Sequence, residues 1–176
     1  DPDWSRGLGD VYKRQEGPNT GGMGAVSPSP DETNKLREHI IEKILNPVAK
    51  GMVLDGKPYT GILYAGLMLT DAGPKVIEFN CRFGDPEAQV ILPRLESDLL
   101  DLILLHCNQA QKDAVIKFSN DVAITVVMAN KGYPGSYEPN SIIKDIDLVS
   151  LNKNCFIYHS GTCLLYTSDA ADDTRS

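Results

Sequence analysis

Several function classes are missing their usual marks in this 176-residue sequence. Cys81, Cys107, Cys155 and Cys163 lie far apart with no C-x-x-C pair, so zinc spacing is absent and reduced thiols are the plain reading. The three histidines are scattered, and no histidine metal site or catalytic triad can be assembled from spacing. No apolar run approaches the ~20 residues that a membrane helix needs, and no secretory apolar segment opens the chain. Positive charge is scarce: 17 Lys and Arg stand against 24 Asp and Glu, for a net charge of −7. A phosphate backbone recruits clusters of Lys and Arg, and none is visible, which argues against nucleic acid as a partner. The expectation is a cytoplasmic protein with neither membrane nor nucleic acid as partner, and the sequence assigns it no oligomeric state.

What remains is ordinary globular material, 41% hydrophobic and 23% charged. The length suits one domain or a piece of a larger protein. Both ends read as foreign. Residues 5–15, SRGLGDVYKRQ, and residues 163–173, CLLYTSDAADD, resemble translated sequencing-library adapters. GAT-GTG-TAT-AAG-AGA-CAG encodes the DVYKRQ of the first, and its reverse complement accounts for CLLYTS in the second. Residues 1–15 and 163–176 are therefore expected to be non-native tails, and 16–162 the evolved part, broken off at both ends.

Within that part, Ser29-Pro30-Asp31-Glu32 has the form of a capping box, with Pro30 at the first helical position. Leu36, Ile40, Ile41, Ile44, Leu45 and Val48 follow at helical spacing and predict one buried stripe, which Pro47 should end or kink. Thr60 to Leu69 is nearly continuous in apolar residues and suits a strand covered on both faces. Asp71-Ala72-Gly73-Pro74 is turn chemistry, and Lys75–Phe79 returns as the second strand of a hairpin. Ser97 is placed to cap a second helix through His106. Asp121–Ala129 reads as a strand, Lys131–Gly135 as a turn, and Cys155–His159 as a last short strand. The polar stretch near Gln109–Asp113 is the expected boundary between a helix-and-sheet unit and a mostly β unit.

The chemistry concentrates in KVIEFNCRFGDPEAQ, residues 75–89. Side chains alternate along a strand, so Glu78 and Asn80 should share one face while Phe79 enters the opposite layer. One anionic and one neutral oxygen suit a hard cation that keeps waters and also grips phosphates. Arg82 would join that face if the strand continued, and its fork of donors suits carboxylate or phosphate. Gly84-Asp85-Pro86 should stop the strand. The plainer alternative is a strand leaving the core through exposed ion pairs. A second stretch, Glu16-Gly17-Pro18-Asn19-Thr20-Gly21-Gly22-Met23-Gly24-Ala25, has the glycine content of an anion-binding concavity or of a simple flexible loop. It is neither a Walker loop nor a G-x-G-x-x-G fingerprint. Cys81 has no neighbouring histidine to activate it and reads as a small packed side chain.

Taken together, GPNTGGMGAVSPSP, YTGILYAGLMLT, PKVIEFNCRFGDPEAQVILPRLESDLLDLI and VVMANKGYPGSY resemble the phosphoribosylamine–glycine ligase family, within the ATP-grasp enzymes. The resemblance covers most of residues 16–162. It implies an α+β fold: the C-terminal half of an ATP-grasp domain over 16–112, an antiparallel sheet with packed helices. The start of a small, mostly β C-terminal domain would follow over 118–162. It implies ATP-dependent joining of glycine to 5-phosphoribosylamine through a glycyl phosphate, as in purine biosynthesis. Glu78 and Asn80 would be ligands of Mg²⁺ or Mn²⁺, and Arg82 would hold phosphate or acyl-phosphate oxygens. Asp85 and Glu87 would shape the substrate end, and Asn19, Thr20, Gly21 and Gly22 would contact substrate. Leu67 stands where many ATP-grasp proteins carry a second acidic ligand. The adenine-gripping half is missing, so the isolated chain is expected to be inactive. The alternatives are another ATP-grasp carboxylate–amine ligase and a non-catalytic binding module.

Overall fold

The computed structural model describes residues 20–108, 114–137, 140–150 and 152–163. The chain divides into two compact units, Asp1–Tyr137 and Glu138–Ser176. The sequence suggested a division near 109–113. The strand pairing described next spans that stretch.

In the first unit, β1 (Gly24–Ser27) pairs antiparallel with β4 (Ala123–Val126), with Gly24 opposite Val126 and Ser27 opposite Ala123. Sequence reading gave the later strand nine residues, 121–129, and only four of them pair. The ladder ends where β1 meets Pro28, which has no N–H to offer a neighbour. Small residues (Ala25, Ser27, Ala123, Thr125) occupy the more covered positions of this sheet, while Val26, Ile124 and Val126 are exposed. The small side chains allow the short helix α3 (Ala88–Ile91) to pack against both strands. Val90 on that helix and Pro86 just before it are the largest fully buried side chains among the described residues. Arg94 fastens the same corner. Its guanidinium donates to Ser27 Oγ (2.6 Å) and to the Ser119 carbonyl (2.9 Å), and it lies 5.9 Å over the Phe118 ring.

Between β1 and the hairpin runs a continuous helical stretch: α1 (Asn34–Ile40), a π turn (Ile41–Leu45) and α2 (Asn46–Leu54). Its cap is Thr33, whose hydroxyl accepts from the Leu36 N–H at 3.1 Å, and not Ser29. Ser29 instead closes a turn, its carbonyl accepting from the Glu32 N–H and its hydroxyl from the Asp31 N–H. Glu32 pairs with Arg37 rather than reaching back to the cap. Pro47 does not stop the helix. The wider π turn, with the Asn46 N–H bonded to the Ile41 carbonyl, re-spaces the ladder just before the missing donor. The predicted stripe is half-buried at Leu36, Ile40, Ile44, Leu45 and Val48, and Ile41 falls outside it, 41% exposed.

The predicted hairpin forms from β2 (Tyr64–Thr70) and β3 (Gly73–Asn80). Its strands are not covered on both faces: Met68, Leu69, Val76 and Phe79 are exposed. The second helix is α4 (Leu99–Cys107), capped by Asp98 rather than Ser97. Asp98 Oδ1 accepts from Leu100 N–H (2.8 Å) and Asp101 N–H (3.1 Å). Ser97 Oγ bonds the Val115 carbonyl and the Lys117 N–H, tying the helix start to the chain that leads into β4.

In the second unit the described residues form one short helix, α5 (Ile146–Ser150). Cys155–His159 is not a strand: among the described residues no second strand offers it a ladder, and the Cys155 N–H instead closes a turn on the Asn152 carbonyl. The cap assignment is checked by chemical denaturation. Thr33→Ala should cost about 1 kcal/mol, the usual value of an N-cap. Ser29→Ala should cost well under half of that, and the reverse order would restore the capping box read from sequence.

Candidate functional site

The hairpin sets the first part of the site. The pairing shifts register between Gly66 and Leu67, so Ile77 is an extra residue on β3, while Glu78 lies opposite Gly66 and Asn80 opposite Tyr64. The irregularity precedes Glu78, which leaves the alternation from Glu78 to Asn80 intact. Their side chains meet on one face: Asn80 Nδ2 donates to Glu78 Oε1 at 2.9 Å. Glu78 is exposed and Asn80 half-buried, so neither faces hydrocarbon. A β-carbon on Gly66 would come within 3.2 Å of Glu78 Cγ, so the glycine leaves room for that side chain.

Strand β3 ends at Asn80, and Arg82 does not extend the alternating row. Its guanidinium folds back to donate to the Phe83 carbonyl at 2.7 Å, yet its charge still reaches Tyr64. Tyr64 is the link between the two ends of the segment, donating to Glu87 Oε1 at 3.2 Å. Burial raises the Tyr64 phenol above the ordinary tyrosine range, and the charge of Glu87, the hydrogen bond to it and the charge of Glu78 raise it further. Arg82 acts in the opposite direction. Glu87 also lies against Gly84, where any β-carbon would collide with its carboxylate. Asp85 Oδ1 accepts from Gln89 Nε2 at 3.0 Å, one helical turn on.

The glycine-rich stretch arrives from the other side. A β-carbon on Gly22 would collide with the Pro86 ring and lie 2.9 Å from the Asp85 carbonyl, so the two segments touch backbone to backbone. The Met23 carbonyl accepts from Val127 N–H at 3.0 Å, and Gly21 N–H donates to Tyr133 Oη at 3.3 Å. Thr20 is exposed, and Asn19 lies outside the described residues. The structure therefore brings Glu78 to Asn80, Glu87 to the Tyr64 phenol that both acidic residues influence, and Gly22 to Asp85. Tyr64, Gly66 and Tyr133 were missed in the sequence. Tyr64 sits in an apolar run and Tyr133 in an ordinary turn, and only the fold shows that each aims a hydroxyl at a motif.

Among the described residues no three His, Cys, Asp or Glu side chains cluster to hold a metal by themselves. One carboxylate and one amide oxygen on an open face instead fit a hard cation that takes its remaining ligands from water and phosphate. The bond from the Asn80 amide nitrogen leaves its carbonyl oxygen and the second Glu78 oxygen for such an ion.

The comparisons with known proteins place the chain in the ATP-grasp class. A profile described as "Phosphoribosylglycinamide synthetase, ATP-grasp (A) domain" matches residues 5–88. The chain is similar to phosphoribosylamine–glycine ligases from Caldanaerobacter subterraneus (47% identity) and Listeria monocytogenes (50%). Each match covers 86% of this chain and 36% of the relative. It is 48% identical to the trifunctional purine biosynthetic protein adenosine-3 of Gallus gallus, over 85% of this chain and 15% of that protein. A crystal structure of phosphoribosylamine–glycine ligase from Thermotoga maritima is 35% identical, with a TM-score of 0.57. That match covers 70% of this chain and 30% of the other. The chain belongs to the phosphoribosylglycinamide synthetase family and is α+β, corresponding to part of its ATP-grasp fold. It spans about a third of the length of the single-enzyme relatives.

Two measurements check this geometry. Gly22→Ala should lose about 1–3 kcal/mol by overpacking against Pro86. Gly51→Ala, in α2 with nothing within 4 Å, should be neutral or gain up to about 1 kcal/mol. Equal effects would mean that the two segments do not touch. Because the folded Tyr64 pKa is raised, its contribution to stability is complete below about pH 10 and disappears as pH rises through the folded value. The stability difference between the wild type and Tyr64→Phe should thus be flat up to that pH and shrink above it.

Proposed function

We propose that the longer protein to which this chain corresponds joins glycine to 5-phosphoribosylamine at the expense of ATP, giving glycinamide ribonucleotide for purine biosynthesis. The single observation that carries this reading is the pairing of Glu78 with Asn80 on the open face of the hairpin, in a chain about half identical to named phosphoribosylamine–glycine ligases. In this reading the glycine carboxylate, already ionised at neutral pH, attacks the γ-phosphorus of ATP. A carboxylate oxygen–phosphorus bond forms, and ADP leaves as the β–γ bridge breaks. The amine nitrogen of 5-phosphoribosylamine then bonds the acyl carbon, loses a proton and releases phosphate.

The residues have distinct parts in this. Glu78 and Asn80 would hold Mg²⁺ or Mn²⁺, which when bound neutralises charge on the transferred phosphoryl group. Arg82 is exposed and held by only one described hydrogen bond, so its remaining donors can take phosphate or acyl-phosphate oxygens. Glu87, oriented by Tyr64 and Gly84, and Asp85, oriented by Gln89, bound the substrate end. Thr20, Gly21 and Gly22 would line it from the opposite side, and Asn19, outside the described residues, would contact the same substrate. The expected location is cytoplasmic. Among the described residues no helix is long and apolar enough to cross a membrane, and one plant relative is named as chloroplastic.

The 176-residue chain by itself should show no turnover, since it spans about a third of the length of the single-enzyme relatives. In the full-length ligase, phosphate release should require both glycine and 5-phosphoribosylamine, and other carboxylates should fail to replace glycine. Glu78→Ala should lower turnover by roughly a hundredfold or more, as expected when Lewis-acid charge stabilisation worth several kcal/mol is lost. Near-normal turnover by that variant would remove the metal assignment.

A further inference from the structure

Tyr133 belongs to a turn that the mechanism above does not use, and its geometry is specific. Gly132 sits at φ +103°, and a side chain there would collide with the Ser136 carbonyl, so only glycine allows the chain to fold back so tightly. The turn is closed by Tyr133 N–H to the Asn130 carbonyl (3.1 Å) and Gly135 N–H to the Gly132 carbonyl (2.8 Å). It follows directly on β4, which is paired to β1 immediately after the glycine-rich stretch. The phenol is thereby carried to Gly21, 112 positions away in sequence, where its oxygen accepts the Gly21 N–H.

Two consequences follow from donor counting. The Gly21 amide is engaged by Tyr133 Oη and is not free to donate to a substrate anion, although backbone amides are what a glycine-rich loop usually contributes. The hydroxyl that accepts this bond keeps its own proton to donate, and among the described residues no acceptor takes it. Tyr133 is 41% exposed, so a ligand can reach that proton. Gly22 is pinned against Asp85–Pro86 and Met23 to Val127, so the hydroxyl is held at a fixed place beside the candidate substrate end.

We propose that Tyr133 is a substrate-binding residue that fastens the glycine-rich stretch through Gly21 and donates its hydroxyl proton to an anionic oxygen of the substrate. That oxygen belongs either to the carboxylate of glycine or to the phosphate of 5-phosphoribosylamine. The inference rests on the ligase reading. It replaces the Gly21 amide by the Tyr133 phenol as the donor presented to the ligand.

The test uses the full-length ligase and Tyr133→Phe, which keeps the ring and removes only the hydroxyl. Amide exchange at Gly21 should accelerate in the variant. One KM, for glycine or for 5-phosphoribosylamine, should rise by about tenfold or more, as loss of a hydrogen bond to a charged group implies. The kcat and the KM for ATP should stay within about twofold of wild type, and the substrate whose KM moves identifies the source of the oxygen. Glycine and ribose 5-phosphate, added separately as probes without ATP, provide an arm independent of turnover: one of them should shift the Gly21 amide resonance in the wild type and not in Tyr133→Phe. An enzyme with no glycine-dependent turnover would defeat the ligase reading, while the probe arm would still decide on the phenol. Unchanged exchange at Gly21, or probe shifts and KM values that match between wild type and variant, would overturn the proposal.

Discussion

The arrangement depends on one backbone-to-backbone contact, between Gly22 and the Asp85–Pro86 peptide. Two segments far apart in sequence can approach this closely only where one of them has no side chain. The contact is backed by the deepest burial in the described chain: the Pro86 ring lies against Gly22, and α3, which carries Val90, packs on β1 and β4. The motif Gly84–Glu87 is thus fixed from behind by apolar packing and in front by the glycine-rich loop. Close packing of this kind transmits small displacements, so the acidic groups on the motif are held by the core itself and not by a mobile loop.

The hairpin contributes the other half independently. It forms its own two-stranded sheet, and the register shift at Gly66/Leu67 falls just ahead of Glu78. Bulges bend and re-aim a strand, and here the bend precedes the pair whose common face matters. Tyr64 then connects the two halves, lying opposite Asn80 in the ladder and bonded to Glu87 beyond the turn. A single half-buried phenol spans from the candidate metal pair to the candidate substrate end.

Much of this was legible in the sequence for a definite reason. The shared face of Glu78 and Asn80 follows from the two-residue period of a strand, and the hairpin follows from Asp71–Pro74, so both are local properties. The helix caps were misplaced by one position in one case and by four in the other, because Ser29 and Ser97 have the right chemistry but are engaged elsewhere. Ser97 binds Val115 and Lys117, partners more than fifteen residues away that no local pattern reveals. Pro47 predicts an end or a kink, and the π turn with which the helix passes it has no sequence signature of its own. Tyr64 and Tyr133 were invisible for the same reason as Ser97: their roles consist of contacts across 23 and 112 positions. The sequence singles out the candidate residue types, and tertiary contacts determine which of them meet.

The local charge gives the cation a part that geometry alone does not assign. Glu78, Asp85 and Glu87 lie along one short segment with Arg82 as its one basic residue, in a chain whose net charge is −7. A triphosphate approaching that segment carries several negative charges of its own, and like charges brought together in a partly desolvated site repel strongly. Arg82 offsets one carboxylate and leaves two. In the proposed reading Glu78 and Asn80 would hold a divalent ion, whose charge would offset this repulsion. In that reading metal binding becomes a condition for ATP to bind as well as for its phosphoryl group to be transferred.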